Sequence, residues 1–81
     1  MQKHTKIFFN HHGYGEQDTI MCQYCRCRVA VDIHHIEFKS QGGKDEITNL
    51  IALCRPDHEA AHRKTIKAEE LKSIVTASLN A

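Results

Sequence analysis

Cys22 and Cys25, joined as C-x-x-C, with Cys54 further along, constrain this chain more than anything else in it. A protein of 81 residues buries only about 60% of its unfolded surface, so its apolar core is marginal and needs a staple. Three Phe, two Tyr and no Trp leave little aromatic material to make up the difference. Four Cys and seven His are heavy usage at this length. A C-x-x-C pair near histidines suits tetrahedral zinc better than a disulfide, so a bound metal is the expected staple. Reduced thiols imply a cytoplasmic setting. In keeping with that, MQKHTKIFFN lacks the apolar centre of a signal peptide, and no apolar run approaches the roughly 20 residues of a membrane span. The net charge of +1 creates no global basic field, so any polyanion has to be met by a local patch.

The pattern of residues predicts an α+β chain forming one domain over residues 1–81. A helix over Met1 to Asn10 would dock Ile7, Phe8 and Phe9, with Gly13 as its left-handed stop and His11 and His12 as favourable charges at its end. YGEQD reads as a turn and TIMC as a short strand. From Val29 to Ile36 alternation predicts a strand with Val29, Val31 and Ile33 on one face. KSQGGKDEITN has loop composition, and LIALC, Leu50 to Cys54, reads as a largely buried second strand. Pro56 suits the first turn of a helix running to about Lys64. A last amphipathic helix carries Leu71, Ile74, Val75 and Leu79 along one side.

Within the first strand stand two adjacent histidines, His34 and His35. Neighbouring strand side chains point to opposite faces, so the two cannot serve one ion in the same way. A division of labour fits better, one imidazole on a metal and one poised to take a proton from water, since its ordinary pKa of about 6.5 suits that task near neutral pH. His58 and His62, four residues apart, share one helix face at a chelating spacing. Three elements therefore offer imidazoles to one region.

The ordered set DIHHI, GG, NLIALC and DHEAAH resembles the HNH endonuclease family, over roughly Cys22 to His62. The resemblance is greatest to the small stand-alone HNH proteins of bacteriophages and bacteria. It implies a ββα-metal core at about 22–64 with a zinc knuckle and flanking N- and C-terminal helices. It also implies metal-dependent hydrolysis of DNA phosphodiesters with little sequence preference. By that resemblance His34 ligates a catalytic divalent ion (Mg, Mn, Ni or Zn) together with His58 and, as in some members, His62. His35 is the general base, and Asn49 accepts its ring N–H to orient it. Cys22, Cys25 and Cys54 match a structural zinc knuckle. Two departures stand out: Asp57 occupies the place of the usual second Cys after Cys54, with Cys27 as a competing fourth ligand, and Arg26 stands where the family usually has Gly.

Lys39, Lys44, Arg55 and Arg63, with Lys64, are placed to meet phosphates, contacts that carry affinity without base specificity. Double-stranded DNA is the expected partner, with phage packaging proteins implied only by the resemblance, no membrane, and either a monomer or a homodimer. The alternative is a zinc-stapled module of the same fold that binds DNA or protein without cutting. A two-Cys two-His finger fails on spacing, because Cys25 to His58 far exceeds the roughly 12 residues such a finger uses.

Overall fold

The computed structural model describes residues 2–80. The order of elements is α1 (Lys3–His12), β1 (Asp32–His35), β2 (Leu50–Leu53), α2 (Arg55–His62) and α3 (Ala68–Leu79), with single 3-10 turns at Lys39–Gln41 and Ile47–Asn49. β1 and β2 pair antiparallel, His34 opposite Ile51 and His35 opposite Leu50. Among the described residues no helix is long and apolar enough to cross a membrane.

β2 is apolar at every position because it is buried on both faces. Ile51 and Leu53 join Cys22, Ile36, Cys54, Ala61, Ile66, Leu71 and Val75 in one cluster, on the side of α2 and α3. Leu50 and Ala52 join Phe8 and Ile20 in a second, on the side of α1. The sheet thus lies between two helical layers, and the period of two in a strand sends alternate residues into each. Burying residues such as Ile51, Leu53 and Phe8 contributes about 1.5–3 kcal/mol apiece. The other edge of β2 is covered by Gln23, whose backbone N–H donates to Ala52 O and whose side-chain Oε1 accepts the Ala52 N–H, both at 2.9 Å.

Several expectations hold and some are corrected. The expected start of α1 at Met1 lies outside the described residues; the helix ends two residues later than expected, stopped by Gly13 at φ 73°. Phe8 is buried, with Ile7 and Phe9 packed beside it. The strand expected over Val29 to Ile36 contracts to Asp32–His35, because its partner β2 has only four residues. Val29 and Val31 are about half exposed (52% and 53%), so they form no buried face. TIMC is not a strand; Met21 makes a single bridge to Val29. YGEQD does turn, with the Gly15 N–H donating to Asp18 Oδ2 at 2.7 Å. α2 ends at His62 rather than Lys64, which sits at φ 62°, outside helical backbone. α3 buries Leu71 and Val75 and lays Ile74 and Leu79 against the same core.

Two glycine positions shape the loop between the strands. Gly42 adopts φ 90°, and a Cβ on Gly43 would sit 1.8 Å from the backbone O of Glu37. The chain doubles back there tightly enough that only glycine fits.

Candidate functional site

β1 delivers its two histidines to opposite sides of the sheet. His34 is buried on the α2 side, where its ring lies 5.0 Å from that of His58 and 5.2 Å from that of His62. Their nitrogens fall within one metal-sized group. His58 and His62, one helical turn apart, bring Nε2 to Nε2 at 3.1 Å. Metal–nitrogen bonds of about 2.0–2.1 Å set ligand nitrogens roughly 3 Å apart, so the pair fits a shared ion. The Asp32 carboxylate accepts the His58 Nδ1–H at 3.0 Å, which leaves Nε2 as the lone-pair nitrogen. Phe38 walls the group, stacked on His62 at 5.1 Å and edge-on to His34. Burial first, then the neighbouring imidazoles of His58 and His62, push His34 down to about 4. It is therefore neutral, and able to ligate, at physiological pH.

His35 faces the α1 side. Its Nε2 lies 2.7 Å from Asp45 Oδ1, and the other oxygen of Asp45 accepts from Lys39 Nζ at 3.2 Å. The hydrogen bonds to His35 and Lys39 hold the Asp45 carboxyl below the usual carboxylate range, against the upward pull of burial. The ring of His4, from α1, stands 4.4 Å from that of His35. Burial, and then His35, lower the pKa of His4. His4, His34, His35, His58, His62, Lys39 and Phe38 line one open cleft, so both histidine groups face the same space.

Asn49 corrects one expectation. Its amide does not meet His35: Oδ1 accepts the Glu37 N–H at 2.7 Å, and Nδ2 donates to Glu37 O at 3.1 Å and Lys44 O at 3.0 Å. Buried at the foot of β2, it clasps the two ends of the connecting loop. The carboxylate that meets His35 is Asp45, carried by that loop.

On the far side of the α2 start, Cys22, Cys25, Cys54 and Asp57 form a second group of metal-ligating type. Asp57 Oδ2 receives both Cys22 Sγ and Cys54 Sγ at 3.2 Å, and Cys25 Sγ lies 3.8 Å from Cys54 Sγ. Tetrahedral zinc with Zn–S bonds of about 2.3 Å separates its sulfurs by roughly 3.8 Å, so the donors are spaced for that ion. Cys27 is exposed and outside the group, whose fourth member is Asp57. Burial pushes the Cys54 thiol up to about 12. Burial would also raise Asp57, but hydrogen bonds from the thiols of Cys54, Cys22 and Cys25 outweigh it and hold the carboxyl low. Arg26, in the turn after Cys25, adopts φ 60°, the left-handed backbone that glycine would take without strain.

A family model described as HNH endonuclease matches residues 22–64, more than half of the chain. The chain belongs to the HNH endonuclease family. No curated protein and no solved structure matches it. HNH proteins use metal ions and act on DNA, and the match covers β1, both 3-10 turns, β2, α2 and all four members of the cysteine group.

Within this HNH core the expected phosphate-facing residues are scattered. Lys39 lines the histidine cleft, whereas Lys44 borders a separate hollow with Asn49 and Lys72. Arg55, Arg63 and Lys64 are exposed at the two ends of α2. Three residues at the site escaped the reading of the sequence. Asp32 lies two positions before His34 and so shares its face of the strand, a signal the period of two contains. His4 lies one turn before Phe8 and shares its docking face. Asp45 carries no local signal; only the loop's path brings it to His35.

Proposed function

We propose that this HNH protein is a metal-dependent endonuclease that hydrolyses DNA phosphodiester bonds. The observation that carries this reading is that β1 sends His34 to the three-histidine group and His35 to a carboxylate, both on one cleft. His34, His58 and His62 would hold the catalytic divalent ion, with Asp32 orienting His58 from behind. Bound there, the ion supplies positive charge to the scissile phosphate and to the oxygen that leaves.

The chain's own residues would do the rest. Asp45 accepts the Nε2–H of His35, which fixes the tautomer and leaves Nδ1 as the lone pair that takes a proton from the attacking water. The negative Asp45 also favours the imidazolium that results, and Lys39 holds that carboxylate from its other side. Asn49 acts at one remove, as a positioning residue that sets the loop bearing Asp45. Cys22, Cys25, Cys54 and Asp57 would hold a structural zinc that secures α2, and with it His58 and His62, against the sheet. Lys39, Lys44, Arg55 and Arg63 would meet phosphates. None of them sits on a base-reading helix, in keeping with weak sequence preference.

The test is cleavage of supercoiled plasmid by purified protein with EDTA, Mg²⁺, Mn²⁺, Ni²⁺ or Zn²⁺, with His35→Ala alongside. Metal-dependent nicking that vanishes in a folded, metal-binding His35→Ala protein supports the assignment. A folded, zinc-retaining protein that shifts DNA in a gel but cuts with no ion would establish the binding-module reading instead.

A further inference from the structure

The histidine cleft contains more ligating groups than a single-ion nuclease uses. On the α1 side, His4, His35 and Asp45 each bring one ligand atom within 4.8 Å of the others. His4 comes from a helix outside the family match, His35 from β1 and Asp45 from the loop between the strands. All three are half-buried. The Asp45 carboxylate divides its oxygens, Oδ1 on His35 Nε2 and Oδ2 on Lys39 Nζ, so a cation bound to Nε2 in place of its proton would meet Oδ1 directly.

We propose that His4, His35 and Asp45 form a second divalent-cation site, and that a transition-metal ion held there switches the nuclease off by occupying its general base. This regulatory role rests on the nuclease reading above; the cation site does not. Two imidazoles and one carboxylate favour Zn²⁺, Ni²⁺ or Cu²⁺ over Mg²⁺, which prefers all-oxygen shells. The inhibitory consequence follows from the chemistry of imidazole. A neutral ring has one lone-pair nitrogen. An ion that takes the Nε2 lone pair of His35 leaves the ring's proton on Nδ1, and no nitrogen remains to accept one from water. The ion takes the place of the Nε2 proton that otherwise hydrogen-bonds to Asp45, so the same carboxylate serves the base in one state and the ion in the other.

The docking of α1 gives this second site its structural basis. Phe8, fully buried against β2, anchors the helix, and His4 lies one turn before it on the same face. The packing that completes the second core cluster therefore also delivers the third ligand.

The experiment counts zinc first. Full-length protein equilibrated with excess Zn²⁺ and gel-filtered should hold one more equivalent than His4→Gln and Asp45→Asn treated in the same way, with folding checked by circular dichroism. Calorimetric titration should show that phase weakened at least roughly 10- to 100-fold in His4→Gln, the range that loss of even a supporting residue brings to a metal site. Plasmid nicking in Mg²⁺ or Mn²⁺ should then fall as Zn²⁺ is added to the native protein. His4→Gln, measured against its own rate with no added Zn²⁺, should need at least tenfold more Zn²⁺ for the same inhibition. Equal zinc content and equal affinities in native protein and His4→Gln would overturn the site. An extra equivalent lost in His4→Gln, from a chain that cuts no DNA with any ion, would leave the cation site standing and overturn its role in regulation together with the nuclease reading.

Discussion

Replacing Asn49 by Asp is the most informative single change, because it keeps the shape of the side chain and removes the donor of two of its three hydrogen bonds. The native amide accepts one bond, from the Glu37 N–H at 2.7 Å, and donates two, to Glu37 O at 3.1 Å and Lys44 O at 3.0 Å. In Asn49→Asp the accepting oxygen survives, but a carboxylate oxygen now faces two carbonyl oxygens at donor distance. Two lost hydrogen bonds remove about 1–3 kcal/mol, and the buried charge facing carbonyls adds to this. A total near 3 kcal/mol at pH 8 is expected, a large part of the stability of a chain this small. The carboxyl can relieve the clash by taking a proton and donating it to one carbonyl, so its pKa in the folded state should lie above the unfolded value. The sign follows: the folded variant binds more protons, so its deficit relative to the native protein should shrink as pH falls through the folded pKa. Urea unfolding of both proteins, zinc-loaded, at pH 8 and pH 5.5 measures this directly. A deficit below about 0.5 kcal/mol at pH 8, with cleavage nonetheless abolished, would refute the clasp and return Asn49 to direct action on His35.

Three further outcomes are expected. Gly43→Ala should destabilise by about 3 kcal/mol in thermal unfolding, since the new methyl meets Glu37 O at 1.8 Å and Glu37 C at 2.6 Å, both backbone atoms that cannot swing aside. A melting temperature within a degree of the native one would show that the loop relaxes freely. Stripping zinc with a chelator, or Cys54→Ser, should unfold the protein, because binding at such a site is worth roughly 10–16 kcal/mol and is folding free energy; cooperative native-like melting after zinc has been shown absent by mass spectrometry would refute the staple. Histidine-site metal removed, stability should be level above pH 6.5 and decline toward pH 4, because His34 is held at about 4 when folded and returns to its ordinary 6.5 when unfolded. The unfolded state binds the extra proton in that window, and the loss should reach roughly 2 kcal/mol after screening in the open cleft. His34→Gln should flatten that part of the profile.

Local geometry explains what could be read without a structure. His58 and His62 share a helix face because the α-helix returns every 3.6 residues, and His34 and His35 part company because a strand alternates. Those rules depend only on backbone type, and backbone type was evident from the apolar run of β2 and from Pro56 at the start of α2. The cysteine spacing likewise pointed to a metal-ligating group, since the two thiols of C-x-x-C can close on one ion within a single turn, and Cys22, Cys25 and Cys54 do come together with Asp57. Asn49 was placed correctly just before β2, but its partner was not. An amide that both donates and accepts can satisfy any nearby backbone, and which groups come near depends on how the Gly42–Gly43 turn folds.

Tertiary structure decided the rest. β2 is apolar at every position, so its composition alone says that both faces are covered and not which helix covers which. Docking of α1 on the Leu50 and Ala52 face put His4 beside His35, while α2 on the other face put His58 and His62 beside His34. Asp45 reached His35, and Asp57 rather than Cys27 joined the thiols, through loop paths set by burial and close contact. The sequence by itself therefore determined which residues could carry chemistry and which pairs had to point apart, because that is local backbone geometry. The three groups they form depended on the packing of helices onto both sides of one short sheet.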